Sequence, residues 1–228
     1  MKYIWIFGVS GVFFLSIGIL FGEKGWLFWW PGVSLLTLAA AYLKLGAKVF
    51  GKSDSGQMSV ISVVFFLPYL LIHWLIWHFQ RIFAGEDCYN EIIPGLWVGR
   101  RAYADELPDN INLIVDLTAE FNEPLDVIRK GKNYICLPTL DASVPSVSEL
   151  RELVTKLVNW EGNIYIHCAI GHGRSAMVAG AVLVARGLAE NAEVAQAMLK
   201  KARPWVKLNS VQRYLVEKVG QQPDLSAG

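Results

Sequence analysis

The sequence predicts an α/β protein in two parts. An amino-terminal bundle of three membrane-length helices occupies residues 1–80, and a compact domain with a mostly parallel sheet flanked by helices occupies 81–220, ahead of a flexible tail at 221–228. Two observations predict this. The chain is 54% hydrophobic, too apolar for an ordinary soluble domain, and the excess lies at the front. From Arg81 onward charges become frequent, and strand-length apolar runs alternate with amphipathic helical patterns, as in a parallel sheet covered on both faces. The formal net charge is +1, and no nucleic-acid partner is expected.

Three apolar runs, at 3–21, 26–45 and 59–79, are each near the roughly 20 residues that cross a bilayer core. Lys2 precedes the first as in a secretory signal, but no small-residue cleavage site follows and the second run begins almost at once. Gly22-Glu23-Lys24-Gly25 is a tight connection, so the first two helices form a hairpin. Trp26, Trp29 and Trp30, and later Tyr69, Trp74 and Trp77, read as interfacial aromatics. Pro31 and Pro68 are tolerable inside bilayer helices. His73 and His78 read as polar tips with no chemistry, and the loop from Gly46 to Met58, with Lys48, Lys52 and Asp54, as a solvated connection.

In the second part, Gly95 to Gly99, Ile111 to Leu117, Tyr134 to Leu137 and Asn163 to His167 read as strands. Ser146 to Trp160 reads as a helix with an apolar face through Leu150, Leu153, Val154 and Leu157, opened by a Ser146–Glu149 capping box. Helices follow at Arg174 to Arg186, at Asn191 to Ala202 with Asn191 as cap, and at Asn209 to Val219. Asp116 ends a buried strand, while Glu120 and Glu123 read as solvated loop charges.

The chemistry concentrates in Ile166-His167-Cys168-Ala169-Ile170-Gly171-His172-Gly173-Arg174-Ser175, where a strand meets a compact loop and then a helix. The first N–H groups of a helix have no intrahelical partner, so a loop curled over them offers donors to a tetrahedral oxyanion. Gly171 and Gly173 let successive N–H groups turn inward as an anion nest, and Arg174 adds a planar two-toothed donor. Those dipoles and that cation favour a thiolate at Cys168, whereas an isolated cysteine would read as a small buried hydrophobe.

His-Cys, five residues, Arg-Ser resembles the signature loop of the cysteine-dependent protein tyrosine phosphatase superfamily. The resemblance implies that Cys168 attacks phosphorus and forms a phosphocysteine, and that the loop Ala169, Ile170, Gly171, His172, Gly173 and Arg174 binds the phosphoryl oxygens. It further implies that Ser175 assists the leaving thiolate and that His167 braces the loop through hydrogen bonds. Tyr89 to Gly99, and Arg203-Pro204 followed by Asn209, resemble the opening and closing segments of the compact dual-specificity branch. That likeness runs from about Asp87 to Val219 and leaves out the apolar front. Asp141, after the strand end Leu137-Pro138-Thr139-Leu140, stands where the family carries its general acid on a mobile loop; the other reading is a turn-forming Asp ahead of Pro145.

The expected activity is therefore a membrane-anchored phosphomonoester hydrolase acting on a membrane lipid phosphate such as phosphatidylglycerophosphate. The competing reading is a membrane-tethered phosphatase of phosphoproteins; a non-catalytic phosphate-binding scaffold and a rhodanese-like sulfurtransferase fit the signature less well. Ala169, Ile170 and His172 stand where phosphoinositide-directed relatives carry Lys or Arg. No cofactor and no metal are implied, and the sequence does not set the oligomeric state. Cys136 reads as a core residue and Cys88 has no evident role. The expected location is a multi-pass position in the cell membrane. Three spans would put Lys2, Lys44, Lys48 and Lys52 on the side opposite the compact domain, so the positive-inside bias places that domain outside, whereas an exposed thiolate belongs in a reducing compartment. The cytoplasmic side is preferred.

Overall fold

A computed structural model describes residues 1–130 and 133–221. The expected tail falls outside the described residues apart from Gln221. The amino-terminal part opens with α1 (Lys2–Leu20) and α2 (Trp26–Ala40), which pack as a hairpin around Gly22–Gly25. Their contact is close because both carry glycine there: a Cβ on Gly11 would lie 2.9 Å from the Gly32 carbonyl oxygen. Helical turns continue α2 to Phe50, so two helical stretches, Lys2–Leu20 and Gly22–Phe50, are long and apolar enough to cross a membrane.

The third expected span is not a helix of that kind. It bends at Phe66 into α3 (Val60–Phe65) and α4 (Leu67–Phe83), with Pro68 in the first turn of α4. Tyr69, Leu70 and Trp77 on α4 are buried against the rest of the chain, while Leu71, Ile72 and Leu75 are exposed. The loop expected to be solvated is also different. The Lys52 side chain is fully buried, its Nζ 2.6 Å from Asp116 Oδ2 and within 2.9 Å of both Thr118 oxygens. An anion buried at a strand end needs a counter-charge, and Lys52 is the cation that this loop delivers. Ser53, Asp54 and Ser55 remain exposed.

The α/β part follows as β1 (Tyr89–Ile93), β2 (Leu96–Arg100), β3 (Ile111–Thr118), α5 (Leu125–Lys130), β4 (Asn133–Thr139), α6 (Val147–Val158), β5 (Asn163–Cys168), α7 (Arg174–Ala185), α8 (Ala192–Ala202) and α9 (Ser210–Gly220). The sheet order is β1-β2-β5-β3-β4; β1 is antiparallel to β2 and the other pairings are parallel. Strand β1 and helix α5, of five and six residues, are too short to show a hydrophobic period in the sequence. Ser146 caps α6 as expected, its hydroxyl accepting from Glu149 N while the Glu149 carboxylate accepts from Ser146 N. Helix α7 is buried from Arg174 to Val184 between the sheet and α6, α8 and α9. Parallel pairing brings Arg100, Thr118, Thr139 and Cys168 to one edge of the sheet, at the carboxyl ends of four strands, where open α/β sheets bind ligands.

Candidate active site

Cys168 ends β5, nearly closed to solvent at 3% exposure. The loop from it to α7 is turned by Gly171, whose φ of +89° is left-handed and where a Cβ would lie 2.5 Å from the Gly99 carbonyl carbon. Gly173 has φ −115° and needs no such freedom; only Gln212 side-chain atoms stand within 4 Å of its missing Cβ. Gly171→Ala is therefore expected to cut phosphate release more than about tenfold, the equivalent of ~1.4 kcal/mol, while Gly173→Ala keeps most of it, as parallel release assays will show.

The loop's carbonyls are held from outside. Ala169 O accepts from Trp77 Nε1 at 2.9 Å and from Arg101 N at 3.2 Å, Ile170 O from Arg203 Nη2 at 3.3 Å, and His172 O from Lys207 N at 3.2 Å. With carbonyls drawn outward, the Gly171 N–H turns inward and donates to Cys168 Sγ at 3.2 Å. Ser175 Oγ, fully buried, lies 3.5 Å from the same sulfur. Burial alone would push this thiol up. The Arg174 guanidinium, the Ser175 hydroxyl and the loop N–H groups outweigh it and hold Cys168 below the ordinary thiol range.

Arg174 is itself positioned by a residue that sequence reasoning set aside. Glu120, expected in solvent, is 2% exposed and takes both teeth of the guanidinium, Nη1 to Oε2 at 2.9 Å and Nη2 to Oε1 at 2.7 Å. The loop after β3 folds back over the sheet edge, and Trp74 Nε1 donates to Glu120 O at 3.0 Å. Burial would raise the Glu120 carboxyl, but Arg174 more than reverses this and keeps it ionised. Nη1 also donates to Thr139 O at 2.8 Å, and Nη2 lies 3.2 Å from Asp141 Oδ1. The buried Nε has no partner among the described residues. The guanidinium plane is therefore fixed by protein, with Nε left without a protein partner among the described residues and Nη2 beside the half-exposed Asp141 carboxylate.

Asp141 is half-exposed at its side chain and its backbone carbonyl accepts from Tyr42 of the amino-terminal part at 3.1 Å. His172 does not face the phosphate site as a free imidazole; its Nε2 is 2.6 Å from Glu86, which also pairs with Arg203 at 3.1 Å. The His167 ring nitrogens have no side-chain hydrogen-bond partner among the described residues, and Nε2 lies 3.6 Å from Glu123 Oε1. The ring stacks on Tyr165 with centroids 5.5 Å apart, and burial lowers its pKa to about 4, so it is neutral.

His167, Asp116 and Glu123 form the one cluster of possible metal ligands among the described residues. The donor set already carries two cations, Lys52 on Asp116 and Arg101 with Nε 3.4 Å from Glu123 Oε2, against which a divalent ion would be repelled. Glu123, also expected in solvent, is 1% exposed; burial and then Asp116 push its carboxyl well above the usual range, against the pull of Arg101. Cys136 and Cys88 are half-buried thiols raised by burial to about 12 and about 11, unlike Cys168.

Residues 104–221, more than half of the chain, match the family described as dual specificity phosphatase, catalytic domain. The chain belongs to that family. Its match contains Cys168, Arg174, Ser175, Asp141 and Glu120, while β1 and β2 lie ahead of it. The curated relative named tyrosine phosphatase 197R, from Invertebrate iridescent virus 6, is 36% identical over 64 residues; the match covers 25% of this chain and 24% of the viral protein, so the chain spans about a quarter of that relative. Among solved structures, PTPMT1 in complex with PI(5)P superposes with a TM-score of 0.53 at 19% identity, over 62% of this chain and all of that one. Tk-PTP in its active form gives 0.51 at 24% identity, over 59% and 97% of the two chains. At such identities these likenesses speak for the dual specificity phosphatase fold alone.

Proposed function

We propose that this member of the dual specificity phosphatase family is a membrane-anchored phosphomonoester hydrolase that works on a lipid phosphate such as phosphatidylglycerophosphate. The observation that carries the reading is the convergence of Cys168 Sγ, the Arg174 guanidinium and Asp141 at the same sheet edge that the amino-terminal helices cover, with Tyr42 at the end of α2 bonded to Asp141 O. Tyr3 at the start of α1 stacks on Tyr42 with centroids 5.1 Å apart, so both open ends of the hairpin sit beside the general-acid loop. A groove of about 750 Å³, lined by Tyr42, Lys44, Lys48, Leu140 and Glu149 among others, runs from that loop along the hairpin end and suits an acidic headgroup.

In the first step the Cys168 thiolate forms an S–P bond as the ester P–O bond breaks, and the departing oxygen takes the proton of Asp141. Arg174 Nε and Nη2 hold two equatorial oxygens, Nη2 exchanging Asp141 for substrate, while the inward loop N–H groups serve the remaining charge. Asp141 then takes a proton from water as its oxygen attacks phosphorus, the S–P bond breaks, and the Ser175 hydroxyl stabilises the thiolate that leaves. Asp141→Asn is expected to slow hydrolysis of an alkyl phosphate by about 10²–10⁴ and that of an aryl phosphate with a good leaving group far less; comparing the two esters checks it.

The hairpin geometry also supports an orientation. Lys2, Lys44, Lys48 and Lys52 flank the open ends of the hairpin beside the active site, whereas Lys24 lies in its closed turn. The positive-inside bias and the needs of a reactive thiolate then favour one side, the cytoplasmic one. The test is phosphate release by full-length protein in detergent from phosphatidylglycerophosphate, phosphatidic acid, phosphoinositides and phosphopeptides, with Cys168→Ser as control. Rates on lipids no higher than on a phosphotyrosine peptide would transfer the assignment to phosphoproteins.

A further inference from the structure

The stretch from Ser59 to Gln80 contains no Asp, Glu, Lys or Arg, yet as folded it is neither a core helix nor a straight span. Leu71, Ile72, Leu75, Phe79, Ile82 and Phe83 recur at helical spacing along one side of α4 and are each 54–70% exposed. The opposite side is spent on the α/β part. Trp74 donates to Glu120 O, Trp77 to Ala169 O, and Arg81 pairs with Glu106 at 3.2 Å. An apolar stripe of this length on a helix anchored along its other side is more than a soluble surface carries without a partner.

Two further observations say what covers it. The bend from which the stripe runs lies against the hairpin, whose apolar exterior is itself exposed: Trp30 of α2 donates to the Phe65 carbonyl between α3 and α4, at 3.0 Å. Both chain ends of α3–α4 also lie against the α/β part: Gly56 O and Gln57 Nε2 just before α3 bond to Glu123 N and O at 2.9 and 2.6 Å, and β1 joins the sheet just after α4. A helix whose two ends meet the same body has no need to cross a bilayer.

We propose that α3–α4 is a half-inserted helix that enters one leaflet and returns, its stripe seated among the acyl chains at the headgroup boundary, and that this seat sets the catalytic cleft at that leaflet's surface. The proposal rests on the membrane anchoring described above. It deepens that reading by giving Trp74 and Trp77 a role: they join the lipid-seated helix to the loop holding Arg174 and to the loop holding the phosphate. A lipid phosphomonoester in the same leaflet then meets the site without leaving the bilayer.

The test uses full-length protein in sealed vesicles of zwitterionic and anionic phospholipid, with Cys88, Cys136 and Cys168 replaced by Ser and single cysteines introduced as Glu23→Cys, Ser55→Cys, Ala84→Cys and Leu75→Cys. With a membrane-impermeant thiol reagent, Ser55→Cys and Ala84→Cys are expected to react from the same side and Glu23→Cys from the other. A spin label at Leu75→Cys is expected to be accessible to oxygen and shielded from a water-soluble relaxer. Ser55→Cys and Ala84→Cys on opposite sides would overturn the proposal while leaving the anchored enzyme intact. Glu23→Cys on the same side as Ser55→Cys would instead remove the anchoring beneath it. Spin–spin broadening at Leu75→Cys, with low oxygen access, would show a second copy on the stripe and overturn it too.

Discussion

Arg174→Lys is expected to reduce phosphate release by at least the 10²–10³ that one lost charge-stabilising donor typically costs, and to return Cys168 toward an ordinary thiol pKa. The two effects share a cause. Arg174 lowers the thiol pKa against burial, and its two Nη atoms are gripped by Glu120, which fixes the plane of the guanidinium. A lysine ammonium could pair with Glu120 or approach a phosphoryl oxygen, but it has no fork with which to do both. Because only the thiolate attacks, kcat/KM rises with pH through the thiol pKa; in the native enzyme that rise lies below the ordinary thiol range, and in the variant it moves up. Titrating the rate of Cys168 alkylation against pH measures the shift without reference to turnover. An unchanged alkylation profile would mean that the loop amides and Ser175 alone hold the thiolate.

The contrast between what local patterns revealed and what they hid has a physical basis. The loop from His167 to Ser175, the Ser146 capping box and the Asn191 cap are read from neighbouring residues because their chemistry closes within a few positions. Glu120, Glu123 and Lys52 were all assigned to solvent, and all three are buried with partners more than twenty residues away. A carboxylate two residues past a strand looks the same in sequence whether water or a helix lies over it. Here the covering element is α4, and its aromatic pattern misled in the same way. Trp74 and Trp77 were read as an interfacial belt, whereas their indole N–H groups point inward to loop carbonyls. What could have raised the question is the carboxyl end of β3, since parallel strands bring that end beside the signature loop.

Lys52→Met is expected to destabilise the whole protein by about 3–5 kcal/mol, the cost of leaving one member of a buried ion pair without its partner. Asp116 is fully buried, and burial would raise its carboxyl; the Lys52 charge, with the hydrogen bonds from Lys52 and Tyr134, holds it well below the usual carboxylate range. The sign of the linkage follows. A depressed carboxylate contributes stability that is present above its unfolded pKa of about 3.9 and is lost as pH falls through the folded value. Without Lys52 the folded pKa rises, so the acid limb of the stability curve should move to higher pH. Asp116→Asn placed on Lys52→Met removes the unpaired charge and is expected to recover much of the loss; thermal unfolding of the two variants and the double variant measures the coupling. Lys52 precedes α3 while Asp116 shares its strand register with His167, the residue before the nucleophile. Loss of stability and loss of phosphate release should therefore appear together in Lys52→Met and recover together in the double variant, which is the behaviour of one cooperative unit in which the loop between α2 and α3 is part of the catalytic core.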